Sequence, residues 1–144
     1  CRCTQGSEGI VKTEVVVVRT GPSRSATDLT GEASEFVRGD GNGLLNVFVP
    51  HATAGVAVIE TGAGSDHDLM EILEDLIPHE DRYRHRHGSF GHGADHVLPG
   101  LVAPSTTIPV IEGRLALGTW QSIVLIDTNV DNQERRVRFT FLPG

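Results

Sequence analysis

Five of the seven histidines in this 144-residue chain fall between His79 and His96, in a stretch reading HEDRYRHRHGSFGHGADH. His85 and His87 are two apart and share a face if the backbone is extended; His92 and His96 are four apart and share one on a helical turn. Either spacing lets one ion collect two imidazole nitrogens, a donor type that zinc and other transition metals favour. His51 stands far upstream, at the end of the segment LLNVFVPH. A strand-end ligand plus a loop pair would make a three-nitrogen site with an open position, as in catalytic zinc centres. The competing reading is a solvated, histidine-rich surface loop. Two carboxylates are candidates to orient an imidazole or to act as general base: Glu60, after the apolar run VAVI, and Asp68, in the first turn of a predicted helix, where it equally suits a capping role.

Other residues suggest recognition of an anion or a ring. Ser105, with Thr106 and Thr107, supplies hydroxyls and backbone donors after a proline, and Arg114 at a hairpin turn can clamp a phosphate or carboxylate bidentately. Trp120, the only tryptophan, can stack on a flat heterocycle while Gln121 reads its edge; ordinary core or interface packing is the alternative for Trp120. The P-loop, GxGxxG, GxSxG and CxxC fingerprints are absent.

The elements that must carry these residues read as an α+β fold. Ile10–Thr20 and Leu44–Val49 are β-branched or alternating segments and predict strands; Val56–Glu60 follows as a third. Leu29–Arg38 predicts a short helix ended by Gly39. Ser65–Ile77 predicts the best helix, with Ser65 and Asp68 as a capping pair and Leu69, Ile72, Leu73 and Leu76 as one apolar stripe; Pro78 stops it. The polar stretch 79–96 has no period, and His96–Ala103 suggests a further short helix. Thr106–Ile111 and Leu115–Leu117 flank a hairpin turn, and Gln121–Thr128 and Arg135–Leu142 predict a second hairpin across Asn129–Glu134. Arg135, Arg136 and Arg138 read as a solvated strand face or as inter-subunit pairs. The expected architecture is a curved, mainly antiparallel sheet with two or three short helices, a polar tail over residues 1–9 and one domain over 10–144.

Acidic residues outnumber basic ones 19 to 12, for a formal charge of -7, so the field repels nucleic-acid backbones. No apolar run approaches the roughly 18 residues that span a bilayer, and the amino end CRCTQGSEGIVK holds no apolar stretch, so no membrane partner and a cytoplasmic location are expected. Cys1 and Cys3 are too few for a disulfide framework and, two apart, poorly placed to bridge; an incidental tail or a metal-binding CxC remain.

Taken together, HATAGVAVIE (51–60), HDL (67–69), YRH (83–85), GADH (93–96) and GRLALGTWQ (113–121) resemble the YjbQ family over about Val11 to Gly144. The resemblance implies a compact α+β fold assembled as a homotrimer, with a histidine-lined pocket near the subunit boundary. It places the metal ligands on His51, His85 and His96, the acidic groups on Glu60 and Asp68, and substrate contacts on Arg114, Trp120 and Gln121. His87 and His92 would be accessory. Some relatives carry a lysine two residues after the His96 position, where this chain has Leu98, which removes any phosphate contact from that side chain. The implied activity is secondary thiamine-phosphate synthesis, joining a pyrimidine pyrophosphate to a thiazole phosphate. Pyrophosphate departure ordinarily uses magnesium, whereas three histidines suit zinc or another transition metal. A zinc-type hydrolase of a small anionic or heterocyclic metabolite, and a non-catalytic metal- or metabolite-binding module, are therefore the competing expectations.

Overall fold

The computed structural model describes residues 9–144. The expected polar tail, Gly9 apart, and both cysteines lie outside the described residues. The chain forms β1 (Lys12–Arg19), β2 (Ser25–Asp28), α1 (Thr30–Phe36), β3 (Gly43–Phe48), β4 (Ala54–Ile59), α2 (Ser65–Leu76), β5 (Ser105–Ile111), β6 (Arg114–Leu115), β7 (Ser122–Asp127) and β8 (Glu134–Pro143). Two 3-10 turns, His92–Ala94 and Leu98–Gly100, stand between α2 and β5. The fold is α+β and every strand pair is antiparallel, as the sequence predicts.

The strands divide into a five-stranded sheet, β1-β8-β3-β5-β6, and a three-stranded sheet, β2-β7-β4. β7 explains the layering. Its residues Ile123 and Leu125 join the core under the larger sheet with Leu45, Val47, Val137 and Phe139, while Val124 and Ile126 join a second core with Leu73, Ile77 and Leu98. A strand with side chains of period two can be apolar throughout only if a layer covers each face. β8 by contrast alternates Val137, Phe139 and Phe141 inward with Arg136, Arg138 and Thr140 outward, so it closes one face of one core.

This difference corrects the predicted second hairpin. β7 and β8 are neighbours in sequence but pair in different sheets. Between them Asn129 N–H donates to Asp127 Oδ1 and Asp131 N–H donates to Asn129 Oδ1, so side-chain acceptors replace ladder bonds and the chain crosses between layers. The first hairpin is present, with Val110 opposite Leu115 and Ile111 opposite Arg114.

Three local expectations also change. The N-cap of α2 is Gly64 in a left-handed conformation, with no side-chain cap from Ser65. Leu73 is buried, but Ile72 and Leu76 are 54% and 64% exposed; Leu69, Met70, Leu73 and Ile77 face the core instead. The predicted helix over His96–Ala103 contracts to a 3-10 turn around Pro99, and β2 has no counterpart in the sequence reading.

Candidate metal centre

Three imidazoles of the 79–96 segment converge. The ligand atoms of His85, His92 and His96 all lie within 4.8 Å of one another. The i, i+4 pair arises because a 3-10 turn starts at His92, with Asp95 N–H donating to His92 O, and it brings the Nε2 atoms of His92 and His96 to 3.1 Å. Two nitrogens bound to one tetrahedral zinc at ordinary bond lengths are separated by ~3.3 Å. His85 arrives from the preceding loop, its ring 4.0 Å from that of His96, and its buried Nε2 has no hydrogen-bond partner among the described residues. An orphaned buried ring nitrogen beside two others is what a ligand set looks like before a cation joins it.

The loop can fold so tightly because of Gly88, at φ +86°: a Cβ there would lie 2.6 Å from the His92 ring. Tyr83 anchors the same segment by donating its hydroxyl to Pro78 O at 2.9 Å. His87 stacks edge-on to His85 at 3.9 Å between ring centres but is exposed and stands 6.0 Å from His96, so it flanks the trio.

Carboxylates back the cluster. Asp95 is 1% exposed; its Oδ1 accepts from Thr128 Oγ1 at 2.8 Å and lies 2.7 Å from His79 Nε2. The other ring nitrogen of His79 is 3.2 Å from Glu74, which ties the assembly to α2. His92 Nδ1 stands 3.3 Å from Asp95 Oδ2 and 3.1 Å from Asp131 Oδ2, close contacts at angles off a regular hydrogen bond. A carboxylate at Nδ1 favours the tautomer with its lone pair on Nε2, toward His96. Asp131 also accepts the Ser89 N–H at 3.0 Å, and that bond, chiefly, holds its carboxyl below the ordinary range. Desolvation first, then the neighbouring imidazoles, pushes His85 and His96 below the usual histidine value, which keeps both neutral and able to ligate.

The other predicted site residues are elsewhere. His51 lies beyond β3, which ends at Phe48; its Nε2 accepts the Arg136 N–H at 3.1 Å, and His92 takes the third position in the cluster. Arg135 is not a solvated strand residue: it is fully buried, paired to Asp127 at 2.9 Å beside Thr53 and Asn129. Glu60 follows Ile59, which pairs with Ser122, and so sits at the end of β7 opposite Asp127. Asp68 is exposed on the first turn of α2. Arg114 and Gln121 line a common cavity beside α1, with Trp120 74% exposed next to it. Ser105 is on the outer face of the larger sheet, accepting from Asn46 Nδ2 at 2.9 Å. Sequence reading missed Asp95 and Asp131 as partners of the histidines. The i, i+3 spacing of Asp95 from His92 was the available signal.

The comparisons agree with this architecture. The sequence profile described as UPF0047 protein YjbQ-like matches residues 14–144. A UPF0047 protein of Mycobacterium tuberculosis (strain H37Rv) is 59% identical over 132 residues, 92% of this chain and 98% of its own. A hypothetical protein of Aeropyrum pernix K1 superposes with a TM-score of 0.82 at 33% identity, covering 92% of this chain and 99% of its own. A protein of unknown function from Sulfolobus solfataricus P2 shares the fold at a TM-score of 0.86 and 23% identity, covering 94% and 99%.

Proposed function

The chain belongs to the UPF0047 family of YjbQ-like proteins, and from that premise we propose that it binds a transition metal, zinc foremost, through His85, His92 and His96. The observation that carries this reading is the convergence of three imidazole ligand atoms within 4.8 Å. Nitrogen donors select zinc-type ions over magnesium, which seeks oxygen and water. Asp95 and Asp131 hold the His92 ring in orientation, and Gly88 lets the loop close over it. When bound, such an ion supplies Lewis acidity toward a phosphoryl or carbonyl oxygen.

The thiamine-phosphate synthase activity implied by the family resemblance is the less favoured reading. The cleft beside the histidines measures about 130 Å³, lined by Tyr83, His85, His87 and His92 among others. Pockets for drug-sized ligands run roughly 300–1,000 Å³, so within one chain this cleft suits a small metabolite better than two heterocycles. A hydrolytic reaction on a small anionic or heterocyclic compound fits that scale, and its carboxylate would be Asp95 or Asp131 rather than Glu60 or Asp68. A homotrimer is part of the same reading. The outer face of the larger sheet leaves Val15, Val17, Leu44, Phe48 and Leu142 exposed, an apolar area suited to a second copy. No described helix is long and apolar enough to cross a membrane.

Elemental analysis after reconstitution with zinc tests the proposal, on wild type beside His85→Ala, His92→Ala, His96→Ala and His51→Ala. Near-stoichiometric metal in wild type and in His51→Ala, with loss in the other three, is the expected result. Metal-free wild type overturns the reading. Equal loss in His51→Ala returns His51 to the ligand set.

A further inference from the structure

A second polar cavity lies at the other end of β7 and does not involve the histidines. It measures about 570 Å³ and opens between α1 and the β5–β6 hairpin. Arg38 reaches it from the turn after α1, Arg114 from β6, and Gln121 from the residue before β7, over a half-buried floor of Leu115 and Leu117. Arg38 is ion-paired with Glu35, while Arg114 has no ion-pair or hydrogen-bond partner among the described residues. Gln121 Oε1 accepts the Gly118 N–H at 2.8 Å, which leaves its Nε2 free to donate.

The wall carrying Arg114 is held firmly. Glu112 and Gly113 form the hairpin turn with φ of +50° and +71°, and Glu112 is the only described non-glycine residue with positive φ. Such turns ordinarily take Asn or Gly, and strain of this kind clusters at functional positions. Glu112 N–H donates to Asn42 Oδ1 at 2.8 Å, and Gly113 N–H donates to Gly41 O at 2.7 Å. A Cβ on Gly113 would lie 2.7 Å from Gly39 N, so the hairpin locks against the turn that carries Arg38. The strained Glu112 also puts a carboxylate on the same cavity as the two guanidinium groups.

We propose that this cavity binds a phosphorylated small molecule bearing an amino or hydroxyl group, with the phosphate on Arg38 and Arg114 and the second group on Glu112. Donors that come from three separate elements suit a tetrahedral oxyanion; a planar carboxylate is satisfied by one bidentate arginine. β7 separates this cavity from the histidine cluster by six residues, ~20 Å of extended chain. Binding here therefore does not depend on the metal reading.

Trp120 adjoins Gln121 but is exposed and outside the cavity wall, so binding is followed by isothermal titration calorimetry. The titrants are inorganic phosphate and phosphoethanolamine. Saturable heats are expected with both, with tighter binding for phosphoethanolamine. Arg38→Met and Arg114→Met each weaken both ligands by roughly tenfold. Glu112→Gln removes the preference for phosphoethanolamine and leaves inorganic phosphate no weaker. The His85→Ala/His92→Ala/His96→Ala triple variant binds as wild type does. Absence of a saturable heat in wild type, arginine variants that bind as wild type while melting as wild type, or loss of binding in the triple variant each overturn the proposal. Arg114→Lys, which keeps the charge and loses the bidentate fork, serves if Arg114→Met melts early; binding equal to wild type then overturns it.

Discussion

At its Asp127 end β7 runs into a buried polar network, whereas at its Ser122 end it meets solvent-facing hydroxyls and an open cavity. Asp127 pairs with a fully buried Arg135 and accepts the Asn129 N–H, and Thr128 donates to the buried Asp95 behind the histidines. Ser122 is partly exposed and lies 3.0 Å from Thr61 Oγ1, which donates to Asp28. One end orders its side chains by burying charges that must be matched. The other leaves the Arg114 side chain without an ion-pair or hydrogen-bond partner among the described residues, and Trp120 exposed. A site that prearranges ligands for an ion needs the first kind of environment, because a ring held only in water reorients freely. A site that catches an anion keeps unpaired donors in reach of solvent.

The sharpest way to break this contrast is to remove one member of the buried pair. Arg135→Met leaves Asp127 buried and uncompensated and is expected to cost about 3–5 kcal/mol in chemical denaturation. The matching change at the other end, Ser122→Ala, is expected to cost about 1 kcal/mol or less. Comparable losses at both ends would refute the idea that only one is rigidly matched. Asp95→Asn comes next: zinc affinity should fall roughly 10- to 100-fold by competition titration with a chelator, with phosphate binding unchanged. Gly88→Ala should act in the same direction, since its φ is positive and its Cβ would meet His92; hydrogen exchange across 85–96 should rise with it.

The smallest effect concerns His51. Desolvation, then Arg135 and Arg136, holds its pKa below the ordinary value, and its Nε2 accepts a backbone N–H that a second proton would displace. The unfolded chain therefore binds the proton first as pH falls through about 6.5, and the fold loses stability from there down to the depressed folded-state pKa. His51→Gln should flatten that part of the stability–pH curve, by less than about 1 kcal/mol. An unchanged curve would show that His51 does not titrate differently on folding.

Much of this molecule can be read along the chain. The alternation in β8, the apolar run of β7 and the turn at Glu112-Gly113 report strands and a hairpin, because side-chain period and turn chemistry are local properties. The pairing of His92 with His96 is equally local. Ser65 did not become a cap because Gly64 took the left-handed position instead, and Ile72 and Leu76 are exposed because the face of α2 is set by what it packs against.

By itself, then, the sequence determined every strand but β2, the α+β class, the family and the concentration of imidazoles in one segment, all consequences of composition and short-range spacing. Tertiary structure decided which sheet each strand joins, since that depends on how many layers must cover an apolar strand. It decided that His85 meets His92 and His96 while His51 turns to Arg136. It also parted Arg114 and Gln121 from the histidines, because β7 stands between them and distance across a fold is not written in distance along a chain.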